Sequence, residues 1–296
     1  MQLTKKQKAE LWLVLTTLIW GGTFAIIQVG LNDASPFLFL SIRFFICFLV
    51  LTIFFPKIYK DIDKALLKKG IILGILMFGG YGLQFLGLKY TTVAKSSLIT
   101  YSFVLLIPFL QYFVRKRMPH IGNIIGLIIV SVGMIILNNP GHTTFNIGDL
   151  VTFGSAFVYA FYVIGLDAIN SNKTLLLTSI QFLVTAVLGI ISSFYFEDAY
   201  LNPTTDLALC LFFLSIPAGV IALFLQTNFQ KETSPVKACI IYALEPVFAI
   251  ILGFVMLHQT LSSSETIGVA IILSGVLISE AWGFVQTKFF TKTIKS

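Results

Sequence analysis

Ten runs of about 20 nearly uncharged apolar residues constrain this chain more than any other feature. At about 1.5 Å rise per residue, each is long enough for a helix to cross a hydrocarbon core about 30 Å thick. They extend approximately over Leu11 to Gly30, Ser35 to Phe55, Gly70 to Leu88, Ser96 to Val114, Ile121 to Leu137, Asp149 to Leu166, Leu175 to Phe196, Leu207 to Phe229, Val236 to Leu257 and Ile267 to Phe284. None alternates with period two, and all are too long for the strands of a membrane barrel. With 57% hydrophobic and 11% charged residues among 296, the chain lies outside the range of soluble domains. The expected fold class is all-α: a polytopic membrane protein of ten transmembrane helices. The first run is too long for a cleaved leader and no small-residue cleavage site follows it, so it is expected to stay as a span.

The net charge of +7 would suit a nucleic-acid partner if it were gathered on a polar domain, but it sits in the short connections between spans. Placing the amino terminus inside puts Lys5, Lys6 and Lys8 on one side, together with Lys57, Lys60, Lys64, Lys68 and Lys69, then Arg115, Lys116 and Arg117, then Lys173, Lys231 and the tail lysines. The other side receives the neutral or acidic connections LNDAS, NNPGHTTFNIG and EDAYLNPTTD. The positive-inside rule therefore predicts cytoplasmic amino and carboxyl termini, in the cytoplasmic (inner) membrane. Cys47, Cys210 and Cys239 fall inside spans as small apolar fillers. His120, His142 and His258 lie at loops or helix ends without ligand spacing, so no metal or cofactor is expected.

The two halves match weakly. A shift of 142 residues pairs Lys95 with Lys237, Ile99 with Ile241, Gly126 with Gly268 and Gly133 with Gly275. Shifts of 139 and 138 set Trp20 opposite Tyr159 and Arg43 opposite Gln181. Each half thus holds five spans, and an odd number of crossings makes the second half enter from the opposite face: two inverted-topology five-helix repeats. The expected division is residues 1–138 for the first repeat, 139–147 for the linker and 148–296 for the second repeat.

The segments LIWGGTF, SPFLFLSIRF, YTTVAKSSLI, GDLVTFGSAFVYAFY and ALEPVFAIILG…IGVAIILSGVLISE together resemble the EamA-like branch of the drug/metabolite transporter superfamily, over nearly the whole chain. That resemblance implies a ten-helix permease or exporter of small metabolites, with a central cavity built by spans one, three, four, six, eight and nine. The family often closes its fourth and ninth spans with a Gly-Glu turn. Here those places read VRKRMP and LHQTLS, so any coupling role of those acids does not carry over.

Candidate residues follow from polar groups at membrane depth. Glu245 lies about ten residues into its span, about 15 Å from either end, too deep to reach water unaided. Pro246 cannot donate to the carbonyl of Tyr242, so a kink and a free acceptor are expected beside the acid. Continuous helical spacing would put Tyr242, Glu245 and Phe248 on one face. Arg43 is also mid-span and must find a carboxylate, carbonyls or water, either as a binder of anionic groups or as a structural lock. Trp20 and Thr23, Tyr81 and Gln84, Tyr101, Tyr159 and Tyr162, and Gln181 furnish interior faces with rings, hydroxyls and amides. Lys95 and Lys237 at opposite mouths, Gly80 in FGGYG and Pro246 are candidate gating positions, with snorkelling and close packing as the alternatives.

These residues point to a secondary transporter of a small metabolite, an amino acid or related compound, working by alternating access and directed outward. No phosphate-binding loop signals ATP use. No enzyme activity is expected; Asp149 lacks the second intramembrane aspartate that a protease would need. The partners are a small-molecule substrate and the lipid bilayer, with proton coupling through Glu245 open and no nucleic acid. A sensory or structural membrane protein and an intramembrane enzyme stand as the alternatives.

Overall fold

The computed structural model describes residues 4–116, 119–138, 145–169, 173–249, 251 and 262–289. Among them, seven helical segments are long and apolar enough to cross a membrane: Lys5–Gly30, Pro36–Phe54, Lys64–Tyr90, Lys95–Val114, Ile147–Ala168, Thr174–Phe196 and Thr205–Glu232. Two shorter apolar helices, Ile121–Leu137 and Ser263–Ser279, are the fifth and tenth spans. Pro235–Tyr242 begins the ninth. The protein is an all-helical, multi-pass membrane protein with the ten-span, two-repeat architecture that the sequence predicts. Linker residues 139–144, ninth-span residues 252–257, most of LHQTLS, and His142 and His258 lie outside the described residues.

Polar residues at the connections start the helices. Thr4 and Gln7 form a capping box, as do Asn146 and Asp149. Asp63, Thr92, Thr204 and Ser234 each accept a backbone N–H in the first turn of the following helix. Asp63 lies outside the spans. The Leu66 N–H, helped by Lys173, holds its carboxyl below the ordinary aspartate value. The large apolar residues left outermost, such as Phe109, Phe113, Phe194 and Phe196, suit contact with acyl chains.

Helix pairing follows the internal symmetry. The third span packs on the sixth and the eighth on the first; the second packs on the seventh and the fifth on the tenth. Exchanging the repeats maps this set onto itself. The fifth and tenth spans show it at atomic detail. A Cβ on Gly133 would lie 3.0 Å from the Gly268 carbonyl oxygen, and one on Gly275 would lie 2.9 Å from that of Gly126. Gly126 corresponds to Gly268 and Gly133 to Gly275, so the two contacts are one contact repeated about a two-fold axis. Close approach of backbones is the reason for glycine there. Gly126→Leu is expected to lower stability by about 1–3 kcal/mol, read as a fall in melting temperature of the purified protein, with Ile128→Leu, on an exposed position of the same helix, unchanged.

Among the described residues, four spans depart from regular α-helix. The first is interrupted at Gly21 and Gly22, the fourth at Ser102, and the ninth at Ala243 and Leu244, after which residues 245–249 are again helical. The eighth contains a π-helical turn, Ile216–Ile221. Pro246 accounts for the ninth, and Pro217 stands in the π-helical turn. At Ser102 the hydroxyl donates to the Ile99 carbonyl at 2.6 Å, a local bond that competes with helix continuation. The breaks in the fourth and ninth spans fall at equivalent places, since Ser102 and Leu244 are 142 residues apart.

Candidate functional site

A cavity lies between the repeats. Its walls carry Trp20 and Thr23 from the first span, Arg43 from the second, Tyr81 and Gln84 from the third, Tyr101 from the fourth, Tyr159 and Tyr162 from the sixth, and Tyr242 and Glu245 from the ninth. The structure therefore gathers ten of the sequence-derived candidates around one space. Phe24, Ile27, Thr100, Phe103, Val163 and Gln226 complete the lining.

Glu245 stands directly after the interruption of the ninth span and is buried. Its carboxylate accepts a hydrogen bond from the Tyr101 hydroxyl, beside the equivalent interruption of the fourth span. The two broken helices thus meet through this pair. The interruption also turns the helix, so the residues after Glu245 do not continue the face of Tyr242. Phe248 is absent from the cavity lining and packs at Gly21, where a Cβ would lie 3.1 Å from that of Phe248. Period-3.6 spacing holds only where the helix is continuous.

Arg43 is 1% exposed, and its partner is not Glu245. Its Nε donates to the Leu214 carbonyl at 3.0 Å. The guanidinium lies over the rings of Phe44, Tyr81 and Phe85, at 4.9, 5.1 and 5.9 Å from their centroids. This is a cation held by an aromatic box and one carbonyl. Arg43 Nη1 is buried with no hydrogen-bond partner among the described residues, and so is Thr100 Oγ1. An unsatisfied buried donor on a residue that lines the cavity is suited to an anionic group of a ligand.

The eighth span matters more than its apolar sequence suggested. Leu214 accepts from Arg43, and Ala218 accepts from Trp20 Nε1 at 3.0 Å. Both carbonyls lie at the π-helical turn around Pro217, where the regular ladder is disturbed. The SIPAG segment, with proline and glycine at mid-span, is the sequence signal for it. Gln226 reaches Gln230, which also accepts from the Tyr242 hydroxyl at 2.9 Å and donates to the Val163 carbonyl.

Gln181 is buried behind the wall rather than in it, accepting from the Tyr162 hydroxyl at 2.9 Å. Gly80 sits in the unbroken helix Lys64–Tyr90. A Cβ there would meet the Tyr159 ring at 2.8 Å, and the Gly80 carbonyl accepts from Ser155. Lys95 and Lys237 lie off the cavity, paired with Asp149 at 2.9 Å and Glu10 at 3.0 Å. Asp149 therefore serves an ion pair and a helix cap. Among the described residues no group of three or more metal-binding side chains assembles.

Comparison with known proteins agrees with this architecture. The profile of the EamA-like transporter family matches residues 7–139 and 146–280. An uncharacterized transporter of Archaeoglobus fulgidus is 32% identical over 279 residues, covering 93% of this chain and 86% of its own. Uncharacterized transporter YoaV of Bacillus subtilis is 26% identical, covering 92% and 96%. The uncharacterized inner membrane transporter YedA of Escherichia coli K12 is 23% identical, covering 88% and 87%. One crystal structure, 21% identical, shares the fold with a TM-score of 0.78 over 93% of this chain and 96% of its own.

Proposed function

We propose, from the premise that this chain belongs to the EamA-like transporter family, that it moves an amino acid or closely related zwitterion across the cytoplasmic membrane by alternating access. The observation that carries this reading is an inter-repeat cavity, lined by both Arg43 and Glu245, in which each is held by its own neighbours and not by the other. A carboxylate on Arg43 Nη1 and an ammonium on Glu245 would complement both ends. Trp20, Tyr81, Tyr159 and Tyr242 offer ring surface to the side chain. The lysine-rich connections support cytoplasmic termini, and the family resemblance supports outward transport. Glu245 is the group proposed to carry a coupled proton. The two repeats, lying one on each side of the axis, supply the rocking elements.

The test is a thermal-shift series on the purified protein followed by flux in proteoliposomes. An α-amino acid at about 100 times its Kd should stabilise the fold by about 2.7 kcal/mol. The matching amine and the matching carboxylate, each lacking one charge, should stabilise far less. Stabilisation by nucleosides alone, or by the amine as strongly as by the amino acid, would overturn the zwitterion assignment. Turnover far above about 10³ per second would instead mark a channel.

A further inference from the structure

Two buried ion pairs at opposite mouths of the protein are copies of each other. On one face, Lys95 Nζ lies 2.9 Å from Asp149 Oδ2, and the Thr91 hydroxyl donates to the same carboxylate. On the other, Lys237 Nζ lies 3.0 Å from Glu10 Oε1, and the Thr233 hydroxyl donates to that carboxylate at 3.0 Å. Thr91 and Lys95 match Thr233 and Lys237 at the 142-residue shift, and Glu10 matches Asp149 at the 139-residue shift that pairs Trp20 with Tyr159. Even the caps correspond: Thr92 accepts from the Lys95 N–H, and Ser234 from that of Lys237.

Each cluster joins the two repeats. Lys95 opens the fourth span, in the first repeat, and Asp149 the sixth, in the second; Lys237 opens the ninth, in the second repeat, and Glu10 lies near the start of the first span. Starts separated by an even number of crossings share a face, and the fourth and ninth are separated by five. The clusters therefore lie on opposite faces whichever way the protein is inserted. Each acid is ten residues before a cavity ring, Asp149 before Tyr159 and Glu10 before Trp20, about 15 Å along its helix. Snorkelling does not describe these lysines. Their side chains are 12% and 11% exposed, with the acids at 2% and 10%, unlike the surface pair Lys5–Glu232. A lysine in the first turn also sits at the positive end of its helix, so the facing acid is what makes the position tenable.

We propose that Thr91–Lys95–Asp149 and Thr233–Lys237–Glu10 are the two gates of the transporter, symmetry-related latches between the repeats that open alternately. In this structure both are closed. The inference rests on the alternating-access reading above. The second and seventh spans are tied at both ends by other contacts: Glu197 caps the second span by accepting from the Phe37 and Leu38 N–H groups and from Ser35, and at the other end the Tyr59 hydroxyl bridges Thr52 of the second span and Ser179 of the seventh. Motion is thereby directed to the four spans that carry the latches.

The experiment places a cysteine at the cavity position Thr23, in a Cys47→Ser, Cys210→Ser, Cys239→Ser background. Its labelling by a membrane-impermeant thiol reagent is then measured from each side of sealed vesicles. Lys95→Met should raise labelling from the Lys95 face relative to the other by about tenfold, and Lys237→Met should move the ratio about tenfold the opposite way. Because a lone buried acid can impair folding, Lys95→Met with Asp149→Asn and Lys237→Met with Glu10→Gln are measured as well, with the same signs expected. The exchange Lys95→Asp with Asp149→Lys should return the ratio towards that of the parent. If the parent is labelled from both faces and transports, yet no variant moves the ratio, the latch proposal falls and alternating access stands. A parent labelled from one face only, with and without transported solute, overturns both.

Discussion

Glu245→Gln is expected to slow transport 10- to 100-fold and to flatten its dependence on pH. The glutamine oxygen can still accept from Tyr101, so the junction between the broken fourth and ninth spans should survive. What disappears is the ionisable carboxyl. A charge-assisted hydrogen bond to a substrate ammonium contributes about 1.5–3 kcal/mol, which corresponds to that loss in affinity or rate. A proton carrier would also lose its titration. The measurement is flux in proteoliposomes across a pH series, beside a melting curve for the variant. Undiminished flux with an unchanged pH profile would reduce Glu245 to an acceptor that holds Tyr101. Tyr101→Phe separates the two roles further, because it removes the junction and leaves the carboxyl.

The second large effect belongs to Arg43. Arg43→Met keeps most of the apolar stem within the box of Phe44, Tyr81 and Phe85 and removes the guanidinium. Losing a buried charged contact to a substrate carboxylate should weaken binding by about 2 kcal/mol or more, about 30-fold. Stability should change much less. The Leu214 carbonyl loses its donor at a cost of about 1–3 kcal/mol, but a charge no longer has to be kept inside the bundle, and the two effects oppose each other. Binding isotherms and melting temperatures distinguish the cases. A large fall in melting temperature with unaltered affinity would make Arg43 a lock between the second and eighth spans, not a ligand group.

Several features of this site were legible in the chain because they violate a strong rule. An acid, a proline and an arginine deep in apolar runs are costly in hydrocarbon, and each was found facing the protein interior. The inverted repeat was legible for a similar reason, since Gly126, Gly133, Gly268 and Gly275 are imposed by backbone contact and keep their spacing in both halves. The contribution of the eighth span was legible only in part: the resemblance placed it at the cavity and SIPAG marks the disturbed turn, but which groups the span offers, the backbone carbonyls of Leu214 and Ala218, is something no side-chain pattern advertises. Phe248 and Gln181 mark the other limit. One lies past a helix break and the other behind a tyrosine, and neither fact follows from helical spacing alone.

For Lys95 and Lys237, the sequence determined that two equivalent lysines would open two spans at opposite mouths. Only the tertiary structure decided that Asp149 and Glu10 would meet them, because each acid belongs to the other repeat. Local composition and period govern which segments enter the bilayer, since hydrocarbon tests every residue for polarity and every backbone group for a partner. Which polar groups then face one another depends on how the repeats cross, where helices break and which carbonyls the breaks release. That is how Arg43 came to rest on Leu214 and three aromatic rings, and Glu245 on Tyr101, around a single cavity.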